Sequence, residues 1–254
     1  MRLKDKVAIV TGGSSGIGRE ICMRYAAEGA KVAVVNRTRD KGAAVADEIT
    51  NSGGTAKAFA CDVSSRDEVQ AMVRAVVDAF GTVDILVAAA GILINKPLAE
   101  LSEEDWRATL DNNLAGCFFA AQAVAPVLQA KKAGKIILFG SIAGSQGYAT
   151  GAAYCASKGG VLNLMRALAA ELAADGINVN ALSPGATATP MNAEHRADSD
   201  ILALFARNTP TGRDFLPPAD MAGTAVFLAS DDARAVHGQN VVVDDGFSAV
   251  KPVG

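Results

Sequence analysis

A tyrosine and a lysine four residues apart are the first candidates for chemistry in this sequence. Tyr154 and Lys158 fall at the start of a long stretch of helical period, so both side chains lie on one face of a helix. A phenol with a pKa of about 10 exchanges protons poorly at neutral pH unless a nearby cation stabilises the phenolate. Lys158 can supply that cation, so the pair indicates proton transfer to or from an oxygen atom.

A serine at the end of the preceding strand completes the candidate catalytic set. Ser141 follows the predicted strand 135–140, and its hydroxyl can hold a substrate oxygen beside the phenol. A proton could then move between tyrosine and oxygen while hydride moves to or from the adjoining carbon. Taken singly, each residue has an ordinary alternative: a half-buried tyrosine, a solvated lysine and a capping serine.

A glycine-rich turn follows the first predicted strand and precedes a helical run over 19–28. Without Cβ atoms the backbone can approach a pyrophosphate closely, and the free N–H groups and dipole of a helix start favour an anion. The alternative is an ordinary strand-to-helix turn, but the βαβ context favours a dinucleotide site. The residues expected to contact it are Gly12, Ser14, Ser15, Gly16, Ile17 and Gly18.

The ends of the second and third predicted strands bear on which dinucleotide is bound. An acidic residue after the second strand suits NAD, whereas a basic one suits the 2′-phosphate of NADP. The sequence has Asn36 and Arg37 there, and a guanidinium can pair bidentately with phosphate. NADP(H) is therefore favoured, and NAD(H) stays open because Arg37 could be a solvated side chain. Asp62 and Val63 could bind adenine, although Asp62 could equally cap the next loop.

The order of elements predicts the fold that positions these residues. Short apolar, β-branched runs alternate with longer stretches of helical period, as in a parallel sheet covered by helices on both faces. We predict an α/β fold with a Rossmann-like, doubly wound, seven-stranded parallel sheet in a single domain over residues 1–254. The strands are expected at 7–11, 31–36, 55–61, 84–88, 135–140, 177–183 and 240–244.

Capping residues and helix-breaking residues indicate where two of the predicted helices begin and where one is interrupted. Two segments resemble capping boxes and mark helix starts, namely Ser65-x-x-Glu68 and Ser102-x-x-Asp105. The second of these helices contains Gly116 and Pro126, which predicts a kink or two helical pieces. The stretch 190–218 is the least regular and is a candidate substrate lobe or lid.

Composition and charge exclude several classes of protein. The 254 residues carry 24 basic and 27 acidic side chains, a net charge of −3, and 50% are hydrophobic. These are globular values, so neither disorder nor a nucleic-acid partner held by bulk charge is expected. The longest apolar run, 85–94, is short of the roughly 20 residues of a membrane helix, and the N-terminus lacks the apolar core of a signal peptide. We expect a cytoplasmic protein with no membrane partner.

The cysteines are too far apart for a shared site. No Cys-x-x-Cys pair occurs, which is typical of reduced, buried thiols rather than of a disulfide framework or a zinc site. We therefore expect no metal and no disulfide. The residues concerned are Cys22, Cys61, Cys117 and Cys155.

The order and spacing of the motifs resemble the short-chain dehydrogenase/reductase family, in its single-domain branch of about 250 residues. The match covers nearly the whole chain, and it implies an oxidoreductase that uses a nicotinamide dinucleotide. The motifs that carry it are Thr11-Gly-x-x-x-Gly-x-Gly18, Asp62-Val63, Ala90-Gly91, Asn113-Leu-x-Gly116, Ser141, Tyr154-x-x-x-Lys158 and Pro184-Gly185 followed by Thr189.

The resemblance also implies a role for each candidate. Tyr154 would be the acid/base, and Ser141 would orient the carbonyl or alcohol. Lys158 would lower the pKa of the tyrosine and bind the nicotinamide ribose. Asn113 would hold a water in a proton relay that begins at Lys158. Further cofactor contacts would come from Ala89, Ala90, Gly91, Pro184, Gly185, Thr187 and Thr189, the last four on the nicotinamide side.

Two segments depart from the family pattern. Where Asn-Asn-Ala-Gly is usual after the fourth strand, this chain reads Ala88-Ala-Ala-Gly91. We expect hydride and proton transfer to be unaffected, because they do not involve this amide. The amide normally ties neighbouring segments together, so its absence should lower sheet stability or cofactor affinity unless other contacts replace it. Near the C-terminus, Asp244-Asp-Gly246 replaces the commoner Asp-Gly-Gly, and we predict no functional meaning for that difference.

The loops beyond the strand ends should choose the substrate. They cover 92–96, 143–151 and 191–213 and are mostly apolar, which favours a small to medium, fairly apolar secondary alcohol or ketone. Gln146 and His195 add polar groups. A lone histidine in a polar loop is usually solvated, and we expect this of His195 and of His237.

Two other functions were weighed against this one. Reductases of 3-oxoacyl groups on acyl-carrier protein share the overall pattern, and the loop lysines Lys131, Lys132 and Lys135 could meet an acidic carrier. Asp175, where carrier-dependent members place a basic residue, argues modestly against that reading. A nucleotide-sensing protein without catalysis should lack part of the Ser, Tyr, Lys and Asn set, and all four are present.

Family members commonly pair through two long helices, here near 113–129 and 152–172. Small residues would allow close approach of such helices, and we predict a homotetramer. The residues are Ala120, Ala121, Ala167, Ala169 and Ala170.

Overall fold

The computed structural model describes residues 1–250, and over that range seven parallel strands form one sheet in the order β3-β2-β1-β4-β5-β6-β7. The order reverses between β1 and β4, where an open α/β sheet leaves a crevice at its carboxyl edge. The strands are β1 Val7–Thr11, β2 Lys31–Asn36, β3 Thr55–Ala60, β4 Ile85–Ala88, β5 Gly134–Phe139, β6 Ile177–Pro184 and β7 Asn240–Val243.

Helices cover both faces of the sheet, so the central strands are buried on both sides and consist of Val, Ile, Leu and Ala. Helices α3, α5 and α6 pack one core, and α1, α2 and α8 pack the other. The helices are α1 Gly16–Ala27, α2 Arg39–Asn51, α3 Arg66–Phe80, α4 Glu103–Leu110, α5 Gly116–Lys131, α6 Ala152–Leu172, α7 Ser199–Asn208 and α8 Ala219–Ala229. The predicted Rossmann-like, doubly wound α/β fold is confirmed.

The predicted strands differ from the observed ones by at most one residue at either end. Asp84 stays outside β4 because its carboxylate accepts a hydrogen bond from the Val7 N–H at 2.8 Å. Cys61 follows β3, although its N–H still bonds to the Asn36 carbonyl at 3.1 Å. Apolar, β-branched runs therefore located the sheet, and backbone hydrogen bonds between neighbouring segments continue one residue beyond the observed ends at Cys61 and Asp84.

Of the two predicted capping boxes, the one at Ser102 is complete and the one at Ser65 is half formed. The Ser102 hydroxyl accepts from the Asp105 N–H at 3.1 Å, and the Asp105 carboxylate accepts from the Ser102 N–H at 3.3 Å. The Ser65 hydroxyl accepts from the Glu68 N–H at 3.4 Å, but the Glu68 carboxylate accepts from the Asp62 N–H at 2.9 Å instead. Glu68 therefore ties helix α3 to the end of β3.

The helix that starts at Ser102 consists of two pieces, as predicted, and a π-helical turn over Asp111–Ala115 joins them. Such wide turns occur mostly as single insertions in α-helices and often at functional sites. Gly116 begins α5, where a Cβ atom would lie 3.0 Å from Val63. Pro126 lies inside α5.

The helical stretch from Glu103 to Lys131 is long and apolar enough to cross a membrane by length and composition, with a mean hydropathy of 1.2. A search for uninterrupted apolar runs in the sequence missed it, because polar residues occur throughout. In this fold its apolar face packs into the core between α3 and α6 through Cys117, Ala120, Val124 and Leu128. A core helix of this kind passes the same test of length and composition.

The cysteines, all within the described range, are free thiols. Burial raises the pKa of the Cys61 thiol to about 11 and raises that of Cys22 further. Cys117 is also buried, and its pKa is raised for the same reason. Cys155 is only half-buried, so the expectation of buried thiols is correct for three of the four.

Candidate active site

Tyr154 and Lys158 lie on one side of the first turns of α6, facing the crevice. The Lys158 side chain is 5% exposed, and its Nζ donates a hydrogen bond to the Phe139 carbonyl oxygen at 2.8 Å. That bond holds the ammonium 5.7 Å from the centre of the Tyr154 ring. A buried cation therefore lies beside the phenol ring.

Ser141 lies two residues beyond the end of β5, in extended backbone, and borders the same crevice as Tyr154. Its Oγ accepts a hydrogen bond from the Ala143 N–H at 3.1 Å, which fixes the side chain and leaves the hydroxyl hydrogen able to donate. Gly140 allows this approach, since a Cβ there would collide with the Ser183 hydroxyl. Ser141 can therefore offer a hydrogen bond to a substrate oxygen.

The π-helical turn places Asn113, fully buried, under the loop that follows β4. Its Oδ1 accepts from the Ile92 N–H at 2.8 Å, and its Nδ2 donates to the Ile92 carbonyl at 2.9 Å and to the Ser157 hydroxyl at 3.1 Å. Both amide hydrogens are thus used, and Oδ1 keeps one lone pair for a water. Asn113 therefore joins the β4 loop to helix α6.

The glycine turn fits a pyrophosphate. Gly12 has φ +70° and Gly16 has φ +53°, values that other residues adopt at a cost. A Cβ at Gly18 would collide with the Gly12 carbonyl oxygen, so the helix start can lie against β1 only because this residue is glycine. Within residues 1–250, the Ser15 side chain makes no capping hydrogen bond to α1, so the first N–H groups of the helix can receive an anion.

Thr11 holds the loop that follows β4. The Ala90 N–H donates to the Thr11 hydroxyl at 3.1 Å, and Thr11 is buried. This bond ties the loop after β4 to the end of β1, across the point where the strand order reverses. This bond uses the Ala90 backbone, so it does not depend on an asparagine side chain in the Ala88-Ala-Ala-Gly91 segment.

The segment after β6 forms the opposite wall of the crevice. Gly185 lies against the Asp244 side chain too closely to carry a Cβ. The Thr187 hydroxyl donates to the Gly185 carbonyl at 3.1 Å, and the Thr189 N–H donates to the Asn192 Oδ1 at 3.0 Å. These bonds fix a loop of mainly backbone groups beside Tyr154.

Arg37 and Asp62 lie together at the far end of the crevice. The Arg37 side chain is 74% exposed, and its guanidinium is 4.0 Å from the Asp62 Oδ2. The other carboxylate oxygen accepts from the Ser64 hydroxyl at 2.6 Å and from the Ser64 N–H at 3.0 Å, and these bonds lower the pKa of Asp62. Asp62 therefore caps its own loop and still presents one oxygen beside Arg37. The buried Oδ1 of Asn36 has no hydrogen-bond partner in the part of the chain that the structure describes.

Most of the residues predicted to hold a cofactor border one cavity of about 240 Å³. Ser14, Arg37, Asp62 and Val63 do not border it. The predicted residues that do are Gly12, Ser15, Gly16, Ile17, Gly18, Ala89, Ala90, Gly91, Tyr154, Lys158, Pro184, Gly185, Thr187 and Thr189. Sequence reasoning missed Phe139, Gly140, Ala186 and Pro190, which contribute backbone or apolar surface and carry no motif.

A second cavity, of about 640 Å³, opens on the other side of Ser141 and Tyr154. Both cavities border these two side chains, so the hydroxyl groups lie where the two spaces meet. The predicted Gln146 and His195 border the second cavity, as expected for the substrate loops. Asn95 and Asn208 border it from the predicted loops, and Phe215 borders it from the predicted lobe over 190–218. Sequence reasoning missed Phe247, which comes from a distant segment near the C-terminus.

The other histidine, His237, is not a solvated side chain, and that expectation is wrong. Its Nδ1 accepts from the Val179 N–H at 3.2 Å, and its Nε2 lies 2.7 Å from the Ala169 carbonyl, to which it donates. These bonds fix the neutral ring as a tie between β6 and α6. In the sequence, nothing indicates these contacts except that His237 lies just before β7.

The sequence and the fold were compared with known proteins. The profile of the short chain dehydrogenase family matches residues 6–200. D-threitol dehydrogenase of Mycolicibacterium smegmatis is 40% identical over 248 residues, which is 97% of this chain and 94% of that protein. The 3-oxoacyl-acyl-carrier-protein reductase FabG of Staphylococcus epidermidis is 39% identical over 243 residues, with 95% and 98% covered.

A solved structure agrees over the whole fold. The gluconate 5-dehydrogenase of Burkholderia cenocepacia, crystallised in complex with NADP and tartrate, superposes with a TM-score of 0.95 at 34% identity and covers 98% of this chain and 97% of that one. Family profile, relatives and fold therefore agree. The chain belongs to the short-chain dehydrogenase/reductase family and is an NAD(P)-dependent oxidoreductase of CH–OH groups.

Proposed function

We propose that this protein is an NADP(H)-preferring oxidoreductase that interconverts a secondary alcohol and a ketone on a small to medium, fairly apolar substrate. The observation that carries the proposal is the position of Ser141 and Tyr154 at the junction of the two cavities. Hydride and proton must reach adjacent atoms of one C–O bond, so the acid/base has to lie where cofactor and substrate meet.

Each residue of the site has its own role in proton transfer. In reduction, the Tyr154 hydroxyl gives its proton to the carbonyl oxygen, while Ser141 holds that oxygen by a hydrogen bond. The Lys158 ammonium stabilises the resulting phenolate across 5.7 Å. Asn113 positions α6 and the β4 loop, and its remaining lone pair can hold a relay water. When bound, the nicotinamide supplies or accepts the hydride.

The cofactor would lie along the first cavity. The glycine turn and the N-terminus of α1 would hold the pyrophosphate, and the loop from Pro184 to Thr189 would hold the nicotinamide side. Asp62 and the Val63 N–H would bind adenine. Arg37 would pair with the 2′-phosphate, which supports NADP(H) over NAD(H) because its guanidinium is exposed and accessible to that group.

Replacing Arg37 with alanine is expected to weaken NADPH binding at least about tenfold, because a charge-assisted hydrogen bond to phosphate is lost. NADH affinity should stay unchanged, since NADH has no 2′-phosphate. Fluorescence titration of both cofactors measures the two constants. Equal losses for NADPH and NADH would contradict the 2′-phosphate role, and Arg39→Ala on the same loop is the matched control.

The second cavity supports an uncharged, largely apolar substrate. Within the described residues its lining holds no Lys, Arg, Asp or Glu, so a carboxylate or phosphate of a substrate would lack a counter-charge. Its polar groups are Asn95, Gln146, Asn192, His195 and Asn208. Its apolar groups include Leu93, Ile142, Tyr148, Ile201, Leu204, Phe205, Phe215 and Phe247. The lobe over 190–218 supplies much of this lining and would be the substrate lid.

Reduction of a 3-oxoacyl group on acyl-carrier protein is the second candidate, favoured by the 39% identity to the Staphylococcus epidermidis reductase. The positions of its basic residues weaken it. Lys132 is paired with Asp175 and Lys131 with Asp84, at the amino end of the sheet, whereas Ser141 follows its carboxyl end. A carrier attracted by these lysines would dock on the side opposite the cavities.

A screen of ketones and alcohols with NADPH and NADH tests the proposed function through the change in cofactor absorbance. Reduction of uncharged apolar ketones supports it. Tight NADPH binding with no turnover across the panel would favour a nucleotide sensor. Turnover of a free acetoacetyl thioester that rises on addition of acidic carrier would favour the second candidate.

We propose a homotetramer in the cytoplasm, where the free thiols would stay reduced. The outward faces of α5 and α6 would form one interface. Ala120, Ala121 and Ala169 cannot contribute to it, because they are buried within the protomer. That part of the sequence expectation is wrong, whereas Ala167 and Ala170 are exposed.

Light scattering at micromolar concentration is expected to give a mass about four times that of the chain, because obligate family interfaces of this kind bury large apolar areas. Replacing Ala167 with arginine on the outward face of α6 should shift the mass toward smaller species. Replacing Arg24, on the exposed face of α1, with alanine is the control. A monomeric mass for the unmodified protein would contradict the tetramer.

A further inference from the structure

The two aspartates near the C-terminus hold different positions. Asp244 is buried, and its carboxylate accepts from the Gly246 N–H at 3.0 Å and from the Ser248 N–H at 2.7 Å, which folds 244–248 into a tight turn. Asp245, where the family commonly has glycine, adopts φ 58°. A side chain in this left-handed region costs free energy that glycine avoids.

The Asp245 carboxylate binds the loop that follows helix α7. Its Oδ2 accepts from the Arg213 Nε at 2.8 Å and also from the Thr211 hydroxyl. The carboxylate is only 16% exposed, and the Arg213 guanidinium lowers the pKa of Asp245. The other charged neighbour is Asp220 at the start of α8, which accepts from the same guanidinium at 3.1 Å.

The turn held by Asp244 also carries a wall of the substrate cavity. The Phe247 ring lies 5.7 Å from the Phe205 ring of α7, and Phe205 lies 5.1 Å from Phe215. Phe205, Phe215 and Phe247 all border the second cavity. The Ser248 carbonyl accepts from the Gln146 amide at 3.4 Å, on the loop across the cavity.

Helix α7 depends on such contacts for its position. All ten of its residues are described, and none of them is fully buried. A helix without buried side chains is held weakly by the hydrophobic effect and opens at low free energy. Two attachments to the C-terminal turn, the aromatic cluster and the Asp245 bonds, therefore fix how closely α7 approaches the cavity.

We propose that Asp245 is a positioning residue that holds α7 over the substrate cavity through Arg213 and Thr211, and that it thereby sets the affinity for substrates large enough to reach Phe205 and Phe247. This inference rests on the proposed ketone reduction for its kinetic readout. A substrate that extends only to Ser141 and Tyr154 does not touch α7, so its binding is independent of Asp245.

The test compares Asp245→Gly with the unmodified protein. Glycine relieves the left-handed backbone, so the variant should fold, and only the carboxylate contacts are lost. For a bulky apolar ketone, KM should rise about fivefold with kcat unchanged, the size expected for one favourable ion pair with its hydrogen bonds. For a small ketone such as butanone, KM and kcat should stay unchanged.

A second readout does not require turnover. Amide hydrogen exchange of α7 in the NADPH complex should be about fivefold faster in Asp245→Gly, because the helix opens more often. Asp220→Ala is the matched control: it removes the other acceptor of Arg213 without touching the C-terminal turn, and it should leave both exchange and KM unchanged. Asp245→Asn, which keeps an acceptor but no charge, should fall between glycine and aspartate.

The outcomes distinguish the positioning role of Asp245 from the proposed ketone reduction. Unchanged exchange of α7 and unchanged KM for the bulky ketone in Asp245→Gly would overturn the positioning role. Equal rises in KM for small and bulky ketones, or an equal effect of Asp220→Ala, would overturn it as well. If no ketone is reduced by the unmodified protein, the proposed function fails, and the exchange measurement still decides whether Asp245 holds α7.

Discussion

Replacing Tyr154 with phenylalanine is expected to lower kcat for ketone reduction at least about 10²-fold, with NADPH affinity unchanged. General acid catalysis typically contributes about 10² to 10⁴ in rate, and phenylalanine keeps the ring while removing the proton. Tyr154 borders both cavities, and in the proposed mechanism its hydroxyl would donate to a carbonyl oxygen held by Ser141. Single-turnover reduction and NADPH fluorescence titration measure the two quantities.

Tyr148→Phe is the matched control for this experiment. Tyr148 borders the same substrate cavity, and its hydroxyl donates to the Asn95 side chain at 3.0 Å. Burial raises the pKa of Tyr148, and the charge of the neighbouring Tyr154 phenolate adds to that effect, so Tyr148 stays protonated. Loss of its hydroxyl should alter KM and leave kcat unchanged. A variant at Tyr154 with turnover close to that of the unmodified protein would show that the acid/base is elsewhere.

Replacing Lys158 with methionine is expected to lower kcat by at least about 10² and also to weaken NADPH binding about tenfold. The ammonium is buried 5.7 Å from the phenol ring and is held by the Phe139 carbonyl. In the proposed mechanism its loss would remove the cation that stabilises the phenolate and a donor for the cofactor ribose. The combined effect distinguishes Lys158 from Tyr154, whose replacement should leave cofactor binding intact.

Methionine has nearly the length of lysine, so Lys158→Met should fold, and thermal unfolding checks this. Lys135→Met is the control, because Lys135 is also partly buried, with its pKa lowered by desolvation and its Nζ 2.8 Å from the Asn178 Oδ1, but it lies at the amino end of the sheet. Lys135→Met should change the thermal stability of the protein and leave kcat unchanged. Unchanged NADPH affinity in Lys158→Met would contradict the ribose contact.

The sheet and the catalytic candidates could be predicted from the sequence because both depend on local patterns. Strands buried on both faces must be apolar throughout, and parallel strands bring their carboxyl ends to one edge. Ser141 follows β5, the glycine turn follows β1, and Tyr154 opens α6, so the topology alone brings them to one crevice. Their roles in catalysis and cofactor binding stay predictions that the variants above test.

The lining of the substrate cavity and the hydrogen bonds around it could not be predicted from local sequence patterns. Gln146 and the Ser248 carbonyl are 102 residues apart in the chain, and nothing in either segment indicates their contact. Asp245 was read as a neutral departure, because its left-handed backbone and its bond to Arg213 depend on how the C-terminal turn meets the end of α7. His237 was misassigned for the same reason: its partners lie on β6 and α6.

The wide turn over Asp111–Ala115 joins helix α4 to helix α5. It holds one more residue than an ordinary α-turn, so deleting one residue within it would leave a regular α-helix in which α4 and α5 keep their packing faces but the wide turn is lost. Asn113 would then leave the β4 loop and Ser157 unbridged. A one-residue gap in this short stretch would thus cost the enzyme more than most substitutions of the same side chains.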